Sequence, residues 1–84
     1  MIIIPPTARK VGRAVRTGEN AVTTTLYEVG DMLYAAHTIP EGPDSPYVER
    51  YRYPQADDYL ERLVKQVAHL AYKGQISERT GYLS

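Results

Sequence analysis

At 84 residues the chain is expected to form one domain, and a domain of that size buries only about 60 to 65% of the surface its unfolded form exposes. It has no cysteine, which excludes a disulfide framework, a thiolate nucleophile, an iron-sulfur cluster and a cysteine zinc site. Ten basic residues balance ten acidic ones, which argues against a polyanion mimic and against bulk electrostatic binding of nucleic acid.

Charge is nevertheless segregated along the chain. Residues 1–20 carry Arg9, Lys10, Arg13 and Arg16 against Glu19 alone, whereas residues 21–45 carry Glu28, Asp31, Glu41 and Asp44 with no base. The opening Met1-Ile2-Ile3-Ile4-Pro5-Pro6 has neither a basic n-region nor an apolar run long enough for a signal peptide or a membrane span. A cytoplasmic, membrane-free protein is expected.

Residues 7–17 suit two readings. Thr7 as an N-cap, Ala8, Val11 and Val15 on one side and Gly18 as a stop would make a short basic helix. Gly12 and the valines equally suit a strand that returns through Thr17-Gly18-Glu19-Asn20, and the strand is preferred. The clearest element follows as a hairpin over 22–39, with Gly30-Asp31 as its two-residue loop. Counting outward from that loop pairs Val29 with Met32, Tyr27 with Tyr34, Thr25 with Ala36 and Thr23 with Thr38 on one face. The other face carries Glu28 with Leu33, Leu26 with Ala35, Thr24 with His37 and Val22 with Ile39, and its aliphatic content assigns it to the core. Tyr27 and Tyr34 would then lie on a face that is partly open or covered by a partner.

Pro40, Pro43 and Pro46 make 40–46 a loop. A strand over 47–53 places Tyr47, Glu49, Tyr51 and Tyr53 on one face and Val48, Arg50 and Arg52 on the other. Neither face is aliphatic, which reads as an edge strand. From 57 to 73 the period changes to that of a helix, with Leu60, Leu63, Val64, Val67, Leu70 and Ala71 in one stripe and Gly74 as the stop. Asp57, Asp58 and Glu61 near its start and Lys73 at its end match the macrodipole, and Asp58 with Arg62 and Glu61 with Lys65 are spaced to pair. Residues 75–84 form a tail. The fold class expected is α+β, a single domain over 1–84 in which a small antiparallel sheet of three to four strands packs on one long C-terminal helix.

Motifs for phosphate, zinc, calcium or an activated serine are absent, and no cofactor or metal is expected. His37 and His69 stand 32 residues apart with no acidic neighbour spaced to orient either, so His37 reads as a rim histidine bonded near Thr24 and His69 as solvated. Asp57 and Asp58 are explained by capping, and no catalytic residue is assigned.

The compositional anomaly is tyrosine. All eight aromatic residues are Tyr, at 27, 34, 47, 51, 53, 59, 72 and 82. A ring with a polar tip suits half-buried strands and protein interfaces alike. Partner contact is therefore expected at Tyr47, Glu49, Tyr51 and Tyr53, at Arg50 and Arg52 behind them, and at Tyr27 and Tyr34. An alternative is a cationic groove for single-stranded nucleic acid built from Arg62, Lys65 and Lys73, with Arg13 and Arg16 of the basic segment and stacking on Tyr51 and Tyr53. A further alternative is self-pairing of the exposed strand in a homo-oligomer or larger assembly.

In build, namely under 100 residues, free of cysteine, α+β, free of motifs and with a polar, tyrosine-rich surface, the chain resembles the small phage- or mobile-element-encoded inhibitors of bacterial defence such as anti-CRISPR proteins. The resemblance is one of size and composition. It implies a non-enzymatic inhibitor that acts in the host cytoplasm by covering the surface of a host ribonucleoprotein complex.

Overall fold

The computed structural model describes residues 2–40, 42, 46–66 and 70–72. Strands β1 (Arg9–Arg16), β2 (Val22–Val29), β3 (Met32–Thr38) and β4 (Tyr47–Arg52) precede one helix, α1 (Gln55–Gln66), and a short strand β5 (Leu70–Tyr72). They form an antiparallel sheet in the order β4-β3-β2-β1-β5. The fold is α+β.

The hairpin has the register that its turn dictates, from Val29 opposite Met32 to Thr23 opposite Thr38. Gly30 has φ +59° and Asp31 keeps a negative φ, the pattern of a type II′ turn, whose first central position favours glycine. Residues 9–16 are a strand rather than a helix, joined to β2 through Gly18 at φ +100°. A bulge at Val11 shifts the pairing, so that Lys10 faces Tyr27 and Gly12 faces Leu26. As expected, β4 is an edge strand.

Helix α1 has 12 residues and is neither long nor the last element, which corrects the expected helix over 57–73. Ala56, Tyr59, Leu60 and Leu63, spaced at one, four, five and eight along the helix face, are its buried residues. Leu70 and Ala71, expected to prolong that stripe, instead pair with β1 as Leu70 opposite Ala14 and Ala71 opposite Arg13. The run Leu-Ala-Tyr is short enough to fit either period, and pairing with the outer edge of β1 satisfies backbone groups of both strands. The sheet accordingly has five strands instead of three or four. Val67, His69, Lys73, Gly74 and the tail over 75–84 lie outside the described residues. Of the two expected helix pairs, Glu61 and Lys65 meet at 3.8 Å; Asp58 and Arg62 do not.

The core lies between α1 and one face of the sheet, where Ala14, Leu26, Leu33 and Ala35 meet Ala56, Tyr59, Leu60 and Leu63. Leu26 and Leu33 are the largest side chains fully out of water. This is the hairpin face that its aliphatic content assigned to the core. Ile39, expected to extend that face opposite Val22, lies beyond the end of β3 and is exposed.

Candidate functional site

Two sets of side chains stand out, one on each face of the sheet. On the helix side, β2, β3 and β4 align Thr24, His37 and Glu49. His37 sits opposite both Thr24 and Tyr47 in the ladders, and Glu49 lies two residues further along β4 on the same face. Thr24 Oγ1 is 2.8 Å from His37 Nδ1, and His37 Nε2 is 2.6 Å from Glu49 Oε1. A carboxylate only accepts, which assigns a proton to Nε2; in the neutral imidazole Nδ1 is then the acceptor of the Thr24 hydroxyl. The Tyr51 hydroxyl donates to Glu49 Oε2 at 2.8 Å, and its ring stacks on Tyr59 of α1 with centroids 4.2 Å apart. The network therefore joins three strands to the helix. The sequence reading of His37 beside Thr24 holds, whereas its lack of an orienting acid is overturned by Glu49.

Burial is the largest influence on Tyr51, and with the bond to Glu49 and that carboxylate's charge it pushes the phenol up to about 12, with Arg62 pulling the other way. Tyr59 is raised as well, chiefly by burial and then by Glu49 and Tyr51. Its hydroxyl is buried with no hydrogen-bond partner among the described residues.

Hydroxyl, imidazole and carboxylate in sequence is the order of an acyl-transfer triad. Here the hydroxyl belongs to Thr24, which is only 2% exposed, so a substrate carbonyl has no approach to it. The arrangement can clamp strands together; it offers no accessible nucleophile. Among the described residues no group of three metal-ligating side chains converges. An open cleft lies between the β1–β2 turn and Ile39, away from this network and lined mainly by the exposed turn.

The tyrosines expected as contacts thus divide. Tyr51 and Tyr53 pack against the buried cluster, Glu49 is engaged by His37 and Tyr51, and Tyr53 donates to Glu28 at 3.0 Å. Only Tyr47, 69% exposed and stacked on His37 at the margin of the network, is largely open. The face of β4 that was read as a contact surface is half-buried beside the core, because α1 packs over it.

The opposite, helix-free face was not singled out as a whole by the sequence. The ladder registers place on it a transverse row of Lys10, Tyr27, Tyr34 and Arg50, flanked by Arg13 and Arg52. Both strand carboxylates, Glu28 and Glu49, belong to the helix side, so this face bears four cations and no carboxylate among the described strand residues. Arg52 reaches Asp31 of the hairpin turn at 3.7 Å, while Lys10, Arg13 and Arg50 form no ion pair among the described residues. Arg13 Nε is buried without a hydrogen-bond partner among the described residues. Tyr34 is only 6% exposed.

The cations of the alternative nucleic-acid groove do not assemble. Arg62 and Lys65 are exposed on α1, across the sheet from Arg13, and Arg16 turns its Nε onto the Asn20 carbonyl at 2.9 Å. No helix among the described residues is long and apolar enough to cross a membrane. Comparison with known proteins finds no matching protein family, no curated protein and no solved structure.

Proposed function

We propose that the chain is a non-enzymatic protein-binding module that docks a carboxylate-bearing partner on its helix-free sheet face. The observation that carries this reading is the separation of charge by the sheet, with Lys10, Arg13, Arg50 and Arg52 on one side and both strand carboxylates on the other. A one-signed surface speeds encounter with a partner of opposite sign and rejects others. The build shared with small inhibitors of bacterial defence supports reading the module as an inhibitor that would act in the host cytoplasm by occluding a nucleic-acid-processing complex. The reading assigns no catalytic role to Thr24, His37 and Glu49, whose hydroxyl is closed to substrate.

Single-stranded nucleic acid is the second reading, favoured by the row of Lys10, Tyr27, Tyr34 and Arg50. Base stacking needs open ring faces, and the burial of Tyr34 leaves at most Tyr27 for that role in the row. The test is capture by the tagged protein from a bacterial lysate, with and without nuclease, beside a double variant Arg50→Glu/Arg52→Glu. A stoichiometric protein that survives nuclease and is lost with the double variant is expected. Recovery of nucleic acid alone, or of a protein indifferent to the double variant, would overturn the reading.

A further inference from the structure

The outer edge of β4 carries a pattern that the ladder fixes residue by residue. Tyr53 N donates to Asp31 O at 3.0 Å, so Asp31 and Tyr53 are a hydrogen-bonded pair. In an antiparallel ladder such pairs alternate. Leu33 with Tyr51, Ala35 with Glu49 and His37 with Tyr47 are then the bonded pairs, and Met32 with Arg52, Tyr34 with Arg50 and Ala36 with Val48 are the unbonded ones. The hairpin agrees independently: its two-residue loop makes Val29 and Met32 a bonded pair, so Met32, Tyr34 and Ala36 spend their backbone groups on β2. Val48, Arg50 and Arg52 therefore aim their N–H and C=O groups away from the sheet. No backbone hydrogen bond among the described residues reaches them.

The same three residues have their side chains on the helix-free face. An added strand would bond to Val48, Arg50 and Arg52 and would bring every second side chain alongside an aliphatic group and two cations. Resting on the protein-binding reading, we propose that β4 accepts an extended acidic segment of another protein as an additional strand, with carboxylates at alternate positions beside Arg50 and Arg52. Arg50 and Arg52 are both exposed, and Arg50 forms no ion pair among the described residues.

A second copy of this chain fits the edge poorly. Two antiparallel β4 strands in one sheet pair only residues of the same face. Registers centred on Glu49, Arg50 or Tyr51 then set Glu49 on Glu49, Arg50 on Arg50, or Arg50 on Arg52, and the register centred on Val48 sets Arg50 on Pro46, which has no N–H to give. Like charges directly opposite are destabilising, and the charges of an edge strand serve to discourage such pairing.

The experiment uses a fluorescent peptide with glutamate at every second position and threonine between, and a control with lysine in place of glutamate. Binding is followed by anisotropy and by amide hydrogen exchange on the full chain. The glutamate peptide is expected to bind and to slow exchange at Val48, Arg50 and Arg52, while Tyr47, Glu49 and Tyr51, already bonded to β3, change little. Val48→Pro deletes one outward N–H and keeps every charge, and it is expected to weaken binding at least about tenfold. Arg50→Glu/Arg52→Glu is expected to lose the glutamate peptide and gain the lysine one. Should Val48→Pro fail to fold, the alternating exchange pattern of the native chain decides.

Equal binding by a folded Val48→Pro variant, or protection without alternation, would overturn strand addition while leaving the basic face as a docking surface. Absence of peptide binding, with a captured partner that still depends on Arg50 and Arg52, would do the same. Dimerisation of the native chain that Val48→Pro abolishes would assign the edge to a second copy and overturn the proposal.

Discussion

Tyr51 is held at its hydroxyl by Glu49 and across its ring by Tyr59, and the bond to Glu49 belongs to its neutral form. Its phenol is raised from an ordinary value of 10.0 to about 12, so the folded protein grips the proton more tightly than the unfolded chain does. The contribution to stability is complete below pH 10. Above that the unfolded chain releases the proton first, and the slope of unfolding free energy with pH turns negative until the folded phenol also ionises near pH 12. Tyr59 shifts in the same direction and prolongs the decline. Urea midpoints measured from pH 9 upward should fall beyond about pH 10, with tyrosinate absorbance rising together with unfolding. Tyr51→Phe keeps the stacked ring and removes one ionisation, so its curve should be flatter than that of the native chain. An equal slope in the two proteins would show that the hydroxyl of Tyr51 is as wet in the fold as out of it.

At the scale of elements, α1 holds the sheet through a few anchors, and their burial ranks them. Leu63 is buried against the sheet, Val64 is only partly buried, and Lys65 is exposed with Glu61 at 3.8 Å. Leu63→Ala is expected to cost about 2 to 5 kcal/mol, and Val64→Ala less. Lys65→Ala should change stability by less than about 0.5 kcal/mol, as exposed helix pairs do. Urea unfolding of the three variants checks the ranking, and an equal loss from all three would mean that α1 is not docked by its apolar stripe. The hairpin and its core face were legible in the sequence because a two-residue loop sets the parity of every pair that follows. The helix end was not, since Leu70-Ala71-Tyr72 has no period of its own and was claimed by the open edge of β1. The bond from His37 to Glu49 was hidden for a different reason. The segment between β3 and β4 is too long to count across, so the register that brings an acid beside the imidazole is a tertiary fact. The inward turn of Tyr51 and Tyr53 was hidden likewise, because alternation says which residues share a face and leaves open which face the helix covers.

The whole molecule places its only described cluster of aliphatic burial on one side of the sheet, and the other side keeps its cations. That division leaves a small core to offset the chain entropy. Domains of this kind have net stabilities of roughly 0.05 to 0.15 kcal/mol per residue, or about 4 to 13 kcal/mol for 84 residues. Leu26 and Leu33 are both fully buried and are diagonal neighbours across β2 and β3. Truncation of either to alanine removes contacts worth about 2 to 5 kcal/mol and leaves a cavity that the flanking Ala35 is too small to fill. Each single variant should remain folded with a lowered urea midpoint. The double variant Leu26→Ala/Leu33→Ala removes a share comparable to the entire net stability and should be unfolded in buffer at 37 °C by circular dichroism, even if coupling between neighbours makes the sum inexact. Arg50→Glu/Arg52→Glu breaks one exposed contact with Asp31 and touches none of this cluster, so its thermal midpoint should stay within a few degrees of the native value. A protein whose helix side carries its core and whose opposite side carries Lys10, Arg13, Arg50 and Arg52 can lose either property alone, and a double variant at Arg50 and Arg52 that unfolded would show that the two sides are not separable.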